Sequence, residues 1–279
     1  RGDMGSASVA PGRRITAAVL GNALEFYDFT VYAAFAVFIG HAFFPTENAY
    51  ASVLLSVATF GVGFITRPLG GIVIGAYADR AGRKPAMTLT IWLMAIGSAV
   101  IGILPTYAQI GYWAPILLVA LRVVQGLGAG AEYGGAVIYL VENAPPKHRG
   151  FWGGFAPLGV SVGNLMAAGA FALVTMLPRE ELMAWGWRVP FLASVLLIAV
   201  GIYVRLRVTE TPVYTEAVVA RNKVESNPAM AALQAHPRNF MVVLGARLAE
   251  NGLGYLFPVS GLSYVISLGV SRADALSAL

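Results

Sequence analysis

The sequence predicts an all-α membrane protein: a six-helix transmembrane bundle followed by the first helix of a second bundle. Three observations predict it. Of the 279 residues, 57% are hydrophobic and only 12% are charged, with a mean hydropathy of +0.69; a soluble domain carries roughly 25% charged residues. Seven apolar stretches are long enough for a spanning helix, which needs about 20 residues: 16–43, 50–77, 85–105, 112–139, 150–176, 189–208 and 238–268. No run of alternating residues is long enough for barrel strands, so a helical bundle is preferred.

The basic residues orient the bundle. With residues 1–15 as a cytoplasmic tail, Arg13, Arg14, Arg80, Arg83, Lys84, Lys147, Arg149 and further loop residues put thirteen of the 19 Lys and Arg on the inner side. Arg179, Arg188 and Arg272 fall outside, and Arg67, Arg122 and Arg247 fall within helices. This inner excess sets the topology. It also accounts for a sequence pI near 9.6 without a nucleic-acid partner. No cleavable signal is visible. Arg1-Gly2-Asp3 precedes Met4 and is read as a remnant, not an integrin-type ligand.

Each stretch has its reason. Pro45, Pro105, Pro145-Pro146, Pro178 and Pro212 fall at or just past helix ends, where proline stops a helix. The first stretch carries Glu25 and Asp28, three residues apart and so adjacent on one helix. Two carboxylates in a low dielectric repel, so one takes up a proton or a cation; both are candidates for proton coupling. The second stretch carries Arg67, a partner for either Asp28 or Glu25, in a structural or a functional pair. Gly61, Gly63, Gly70, Gly71 and Gly75 let helices approach closely. The loop Asp79-Arg80-Ala81-Gly82-Arg83-Lys84 leads into the third stretch.

The fourth stretch holds Arg122 and Gln125 on one face, and Glu132 ten residues after Arg122. Ten residues are about 15 Å of helix rise, so Arg122 and Glu132 are not direct partners. Arg122 is charged at every physiological pH, and a fixed buried cation tunes a carboxylate or binds an anion. Glu132 is a further proton-site candidate. The candidate substrate cavity comprises Arg122, Gln125, Tyr32, Arg67 and Asn251. The fifth and sixth stretches close the bundle (16–208). Residues 209–237 are polar and read as a central cytoplasmic loop. The seventh stretch, with Arg247, Glu250 and Asn251, begins a second unit (238–279). A six-helix unit, a loop and a restarting helix suggest a two-bundle transporter of which this chain is a fragment. Short loops group the six as two three-helix repeats.

Other signals are bland. There is no cysteine and hence no disulfide framework. His41, His148 and His236 lack metal-ligand spacing, and no nucleotide or hydrolase motif is present. No metal, cofactor or enzymatic activity is expected. Trp113, Trp185 and Trp187 are read as an outer interfacial belt.

Gly75-Ala76-Tyr77-Ala78-Asp79-Arg80-Ala81-Gly82-Arg83-Lys84 resembles the loop signature between helices two and three of the major facilitator superfamily. Arg122-Val123-Val124-Gln125-Gly126 resembles its fourth-helix motif. Glu25-Phe26-Tyr27-Asp28-Phe29, Arg67-Pro68-Leu69-Gly70-Gly71, Gly130-Ala131-Glu132-Tyr133-Gly134-Gly135, Trp185 to Phe191 and Glu210-Thr211-Pro212 resemble the metabolite:proton symporter branch. That branch carries shikimate, citrate, 2-oxoglutarate, proline and betaine. The resemblance implies two bundles with substrate between them, and a cytoplasmic gate of Asp79, Gly82 and Arg83. It implies a proton-coupled carrier of a small organic acid in an inner membrane, with a zwitterionic osmolyte or a non-transporting sensor as alternatives. The partners implied are substrate, protons and the bilayer, and the complete protein would work as a monomer. The branch often reads Gly-Gly-Glu where this chain has Gly130-Ala131-Glu132, and the added methyl is expected to be tolerated.

Overall fold

A computed structural model describes residues 11–206, 211, 214 and 228–255. Among these residues the regular structure is helical throughout. The helices are α1 (Pro11–Ala34), α2 (Ala36–Phe43), α3 (Ala49–Ala81), α4 (Arg83–Ile103), α5 (Tyr107–Ile110), α6 (Trp113–Asn143), α7 (Arg149–Gly153), α8 (Phe155–Val174), α9 (Arg179–Ala184) and α10 (Val189–Leu206). Two more, α11 (Pro228–Ala235) and α12 (Pro237–Tyr255), belong to a separate unit beginning at Glu225.

Five described helical spans are long and apolar enough to cross a membrane, and α1 with α2 makes a sixth. These are the six spans expected from the sequence. One expectation needs correcting. The stretch 16–43 is not a single rod: α1 and α2 meet at Phe35 with a 65° bend. The seventh stretch is described only as far as Tyr255; the rest of 238–268 lies outside the described residues.

Local chemistry sets the ends. Asn48 caps α3 by accepting from the Tyr50 N–H at 2.9 Å. Gly82 ends it with φ 109° and ψ 161°, a region that residues with a Cβ scarcely enter. Arg188 donates to the carbonyls of Gly102 and Leu104 at 3.0 and 2.8 Å, satisfying the end of α4. Pro68 sits inside α3 without ending it. Neighbouring helices and side chains support such a proline, and Thr66 donates back to the carbonyls of Val62 and Gly63 at 3.2 and 3.1 Å.

The packing order is informative. α1 packs on α8 and α10; α6 packs on α3 and α4; α1 and α6 meet at the centre, and α4 meets α10. Exchanging the first three spans with the last three maps this arrangement onto itself. The most extensive contacts, α3 with α6 and α1 with α8, thus join spans that are not consecutive in sequence.

Glycines make the α3–α6 contact close. A Cβ built on Gly70 would overlap the Leu127 carbonyl, and one on Gly126 the Gly63 carbonyl. One on Gly130 would overlap the Arg67 carbonyl oxygen. The apolar core includes Tyr27, Tyr32, Phe35, Phe43, Trp187 and Phe191. Trp187 is thus a core residue and not part of an outer belt: it is 1% exposed and packs edge-on against Phe43 and Phe191. Trp113 and Trp185 are exposed. The outer faces of α3 show Leu54, Ile65, Leu69 and Val73, the apolar surface a bilayer requires.

Candidate functional site

The two central helices carry the buried charges. Glu25 is 0% exposed, Asp28 4%, Arg122 0%, Gln125 1% and Glu132 0%. Charges at that depth stay only when paired.

Glu25 and Asp28 leave α1 toward different partners. Arg67 Nη2 lies 3.0 Å from Glu25 Oε1, which resolves the two partners the sequence allowed. Asp28 instead interacts with Ser98 of α4, Ser194 of α10 and the Arg122 guanidinium. Its Oδ2 is buried without a hydrogen-bond partner. Arg122 Nη1 donates to Gln125 Oε1 at 2.6 Å, and Gln125 Nε2 donates to Ser98 Oγ at 2.6 Å. The chain Arg122–Gln125–Ser98 thereby ties α6 to α4 beside Asp28.

Aromatic rings supply the rest of the arginines' surroundings. The Arg122 guanidinium lies 3.5 Å from the Tyr32 ring centroid. Arg67 lies 4.1 Å from the Phe29 centroid and 4.6 Å from that of Phe64. Desolvated cation–π contacts of this kind are worth ~2 kcal/mol. Tyr32 donates its hydroxyl to the Ser56 carbonyl at 3.3 Å and stacks with Phe60.

Glu132 belongs to another place. It accepts from the Thr90 hydroxyl, far from Asp28 along α6. Thr90 and the glycine-lined surfaces of α3 and α6 border a cavity of about 160 Å³, and Arg83 and Ala131 line it too. Arg247 and Asn251 lie on α12, and the Asn251 side chain is outside what the structure describes.

The predicted gate residues come together at the ends of α3, α4 and α6. Arg83 Nη1 is 2.7 Å from Asp79 Oδ1, and Arg83 Nη2 is 3.3 Å from Glu142 Oε1. Glu142 was missed by sequence reasoning. So was the role of Thr211, which donates to Glu142 Oε2 at 2.7 Å. Tyr214 adds a bond from its hydroxyl to the Arg80 carbonyl at 2.9 Å. Thr211 thus joins the Arg83–Glu142 contact from beyond the described end of α10.

A second missed pair lies at mid-bundle. Thr30 donates to Asn164 Oδ1 at 2.7 Å across α1 and α8, and Asn164 is exposed. Neither has a charge, and neither sits in a motif, so no sequence signal singled them out.

The fold is that of the major facilitator superfamily. A crystal structure of a double-tryptophan variant of the xylose transporter XylE superposes with a TM-score of 0.72 at 20% identity, covering 96% of this chain and 65% of that one. Residues 14–239 match the sugar (and other) transporter family, and the chain belongs to it. Among relatives, the inner membrane metabolite transport protein YhjE of Escherichia coli is 40% identical, across 94% of this chain and 61% of its own length. The shikimate transporter of Escherichia coli is 37% identical, across 95% and 61%. The glycine betaine/proline/ectoine/pipecolic acid transporter OusA of Dickeya dadantii is 36% identical, across 91% and 52%. The chain thus spans between 52% and 61% of the length of these relatives.

Proposed function

We propose that this chain is the first bundle, central loop and opening helix of a proton-coupled carrier of small organic acids. The observation that carries this reading is Asp28: a carboxylate buried in an apolar bundle, facing a fixed arginine, with one oxygen left without a partner. A carboxyl of that kind exchanges a proton at low cost when its arginine moves. Arg122 therefore acts as the tuning cation, and Asp28 as the proton carrier.

The proposed parts are a tail at 1–15, the bundle at 16–208, the loop at 209–237 and the second bundle from 238, with the amino terminus cytoplasmic in an inner membrane. The complete protein works as a monomer. Thr30 and Asn164 supply neutral hydrogen-bonding groups on the face toward the substrate, because an exposed amide at mid-span is costly against lipid. An organic acid suits two arginines better than a cation does. A zwitterionic osmolyte is the second reading, and the likeness to OusA favours it.

The test is uptake by the full-length two-bundle polypeptide in proteoliposomes. Labelled shikimate, 2-oxoglutarate and betaine are supplied with and without an imposed proton gradient. Concentrative uptake of an organic acid only with the gradient is expected. Gradient-independent equilibration would sink the symport reading, and preference for betaine would move the substrate to the second one.

The gate gives a separate prediction. Glu142→Gln keeps the shape but removes one of the two carboxylates around Arg83, a loss of ~1.5 kcal/mol for a charge-assisted bond. Cysteines introduced on either face should then label with an inward-to-outward ratio shifted about tenfold. Residues 1–279 contain no cysteine to interfere. Unchanged labelling would remove Glu142 from the gate.

A further inference from the structure

Glu25–Arg67 and Asp28–Arg122 are two acid–base pairs in one bundle, and the ring of Phe29 contacts both arginines. Phe29 follows Asp28 on α1 and is 5% exposed. Its ring centroid lies 4.1 Å from the Arg67 guanidinium and 5.4 Å from that of Arg122. Phe60 and Phe64 meet it edge-on at 5.8 and 5.2 Å, which fixes its position. Tyr32 and Phe60 complete the box around Arg122, at 3.5 and 5.4 Å.

Two guanidiniums this near one ring repel each other. Their carboxylates neutralise them in turn, and the ring's negative faces lower the cost of keeping both in an apolar interior. We propose that Phe29 is a positioning residue that couples the two pairs, so that loss of charge at Asp28 is passed through Arg122 and the ring to the Arg67–Glu25 pair. When Asp28 takes a proton, Arg122 loses its countercharge and leans harder on its aromatic contacts. Arg67 shares one of those contacts and must adjust. The adjustment reaches Glu25 and α3, the helix that ends in the gate at Asp79 and Gly82. The charged and titratable groups around the ring are Glu25, Tyr27, Asp28 and Tyr32 on α1, Arg67 on α3 and Arg122 on α6. Among the described residues of α4 and α10, Asp28 meets the neutral hydroxyls of Ser98 and Ser194.

This inference rests on the proton-coupled reading, and one experiment separates the two. Phenylalanine 29 is replaced by mono-, di- and trifluorophenylalanine in the full-length polypeptide, which drains the ring's negative face at nearly constant size. Phe29→Leu and Phe29→Tyr complete the series. Thermal unfolding in detergent is measured for each, and the pH dependence of gradient-driven shikimate and betaine uptake is recorded. Uptake should fall stepwise with fluorination, to about a ten- to thirtyfold loss in the leucine variant, and the tyrosine variant should recover most of it. The pH midpoint of uptake should move in the same order. A flat series in a wild-type background that does accumulate substrate would overturn the coupling role. A loss that follows unfolding temperature instead of ring charge would overturn it as well. Absence of gradient-driven uptake of either substrate by the wild type would refute the proton-coupled reading on which the inference stands.

Discussion

Asp28→Asn is expected to abolish concentrative uptake while leaving the folded protein and its exchange activity in place. Asparagine has the same shape and still meets Ser98 and Ser194, but it carries no proton at any working pH. On the proposed reading, coupling is lost because the acid beside Arg122 no longer changes charge. The cost to folding is real: removing one partner of a buried pair leaves Arg122 uncompensated, at ~3–5 kcal/mol if the bundle does not relax. Thermal unfolding and expression of the variant are therefore part of the measurement. Asp28→Glu, which keeps the titratable group one methylene further out, should retain part of the gradient-driven signal. Wild-type accumulation by a well-folded asparagine variant would remove Asp28 from the mechanism. Counterflow, which needs no net proton movement, should persist in the asparagine variant.

Gly130→Ala is the second large effect, and it is structural. The added methyl would overlap the Arg67 carbonyl oxygen, which belongs to the backbone of a packed helix and cannot swing aside. α3 must retreat from α6, and Arg67 retreats with it from Glu25. Overpacking of this kind costs ~1–3 kcal/mol. The matched control is Gly134→Ala, one turn along the same helix, where a Cβ meets nothing within 4 Å. The unfolding temperature in detergent should drop for the first and stay unchanged for the second. Equal unfolding temperatures would refute the close α3–α6 contact. Ala131, between them, lines the cavity beside Arg83 and has room for its methyl there.

Much of this architecture was legible in the sequence, because hydropathy is a local property. The six spans and the depth of Arg122 follow from short segments, whereas the grouping of Asp79, Gly82 and Arg83 came from the resemblance and their pairing from the structure. What was illegible is the rotational phase of one helix against another distant in sequence. Whether Arg67 meets Glu25 or Asp28 depends on how α1 is turned toward α3, and no segment records that. Ser98, Ser194, Glu142 and Asn164 were missed for the same reason: each acts through a partner at least 27 residues away. Trp187 was misread because amphipathic rings in outer loops usually mark an interface, whereas Arg188 anchors this loop to the end of α4 and turns the indole inward. The bend at Phe35 gave no signal, for neither proline nor glycine marks it.

The exchange of the two helix triplets has a chemical side. If the bundle is a doubled unit, α1 and α6 occupy equivalent stations, and a faithful doubling would place identical residues on both. Two acids would then face two acids, or two arginines face two arginines, at the axis between the halves. The observed pair is an acid from one half and a base from the other. On that premise, the two halves differ at the place where sameness would be fatal to a buried charge. In charge, the two triplets differ where α1 and α6 meet, with the Asp28 carboxylate of one facing the Arg122 guanidinium of the other.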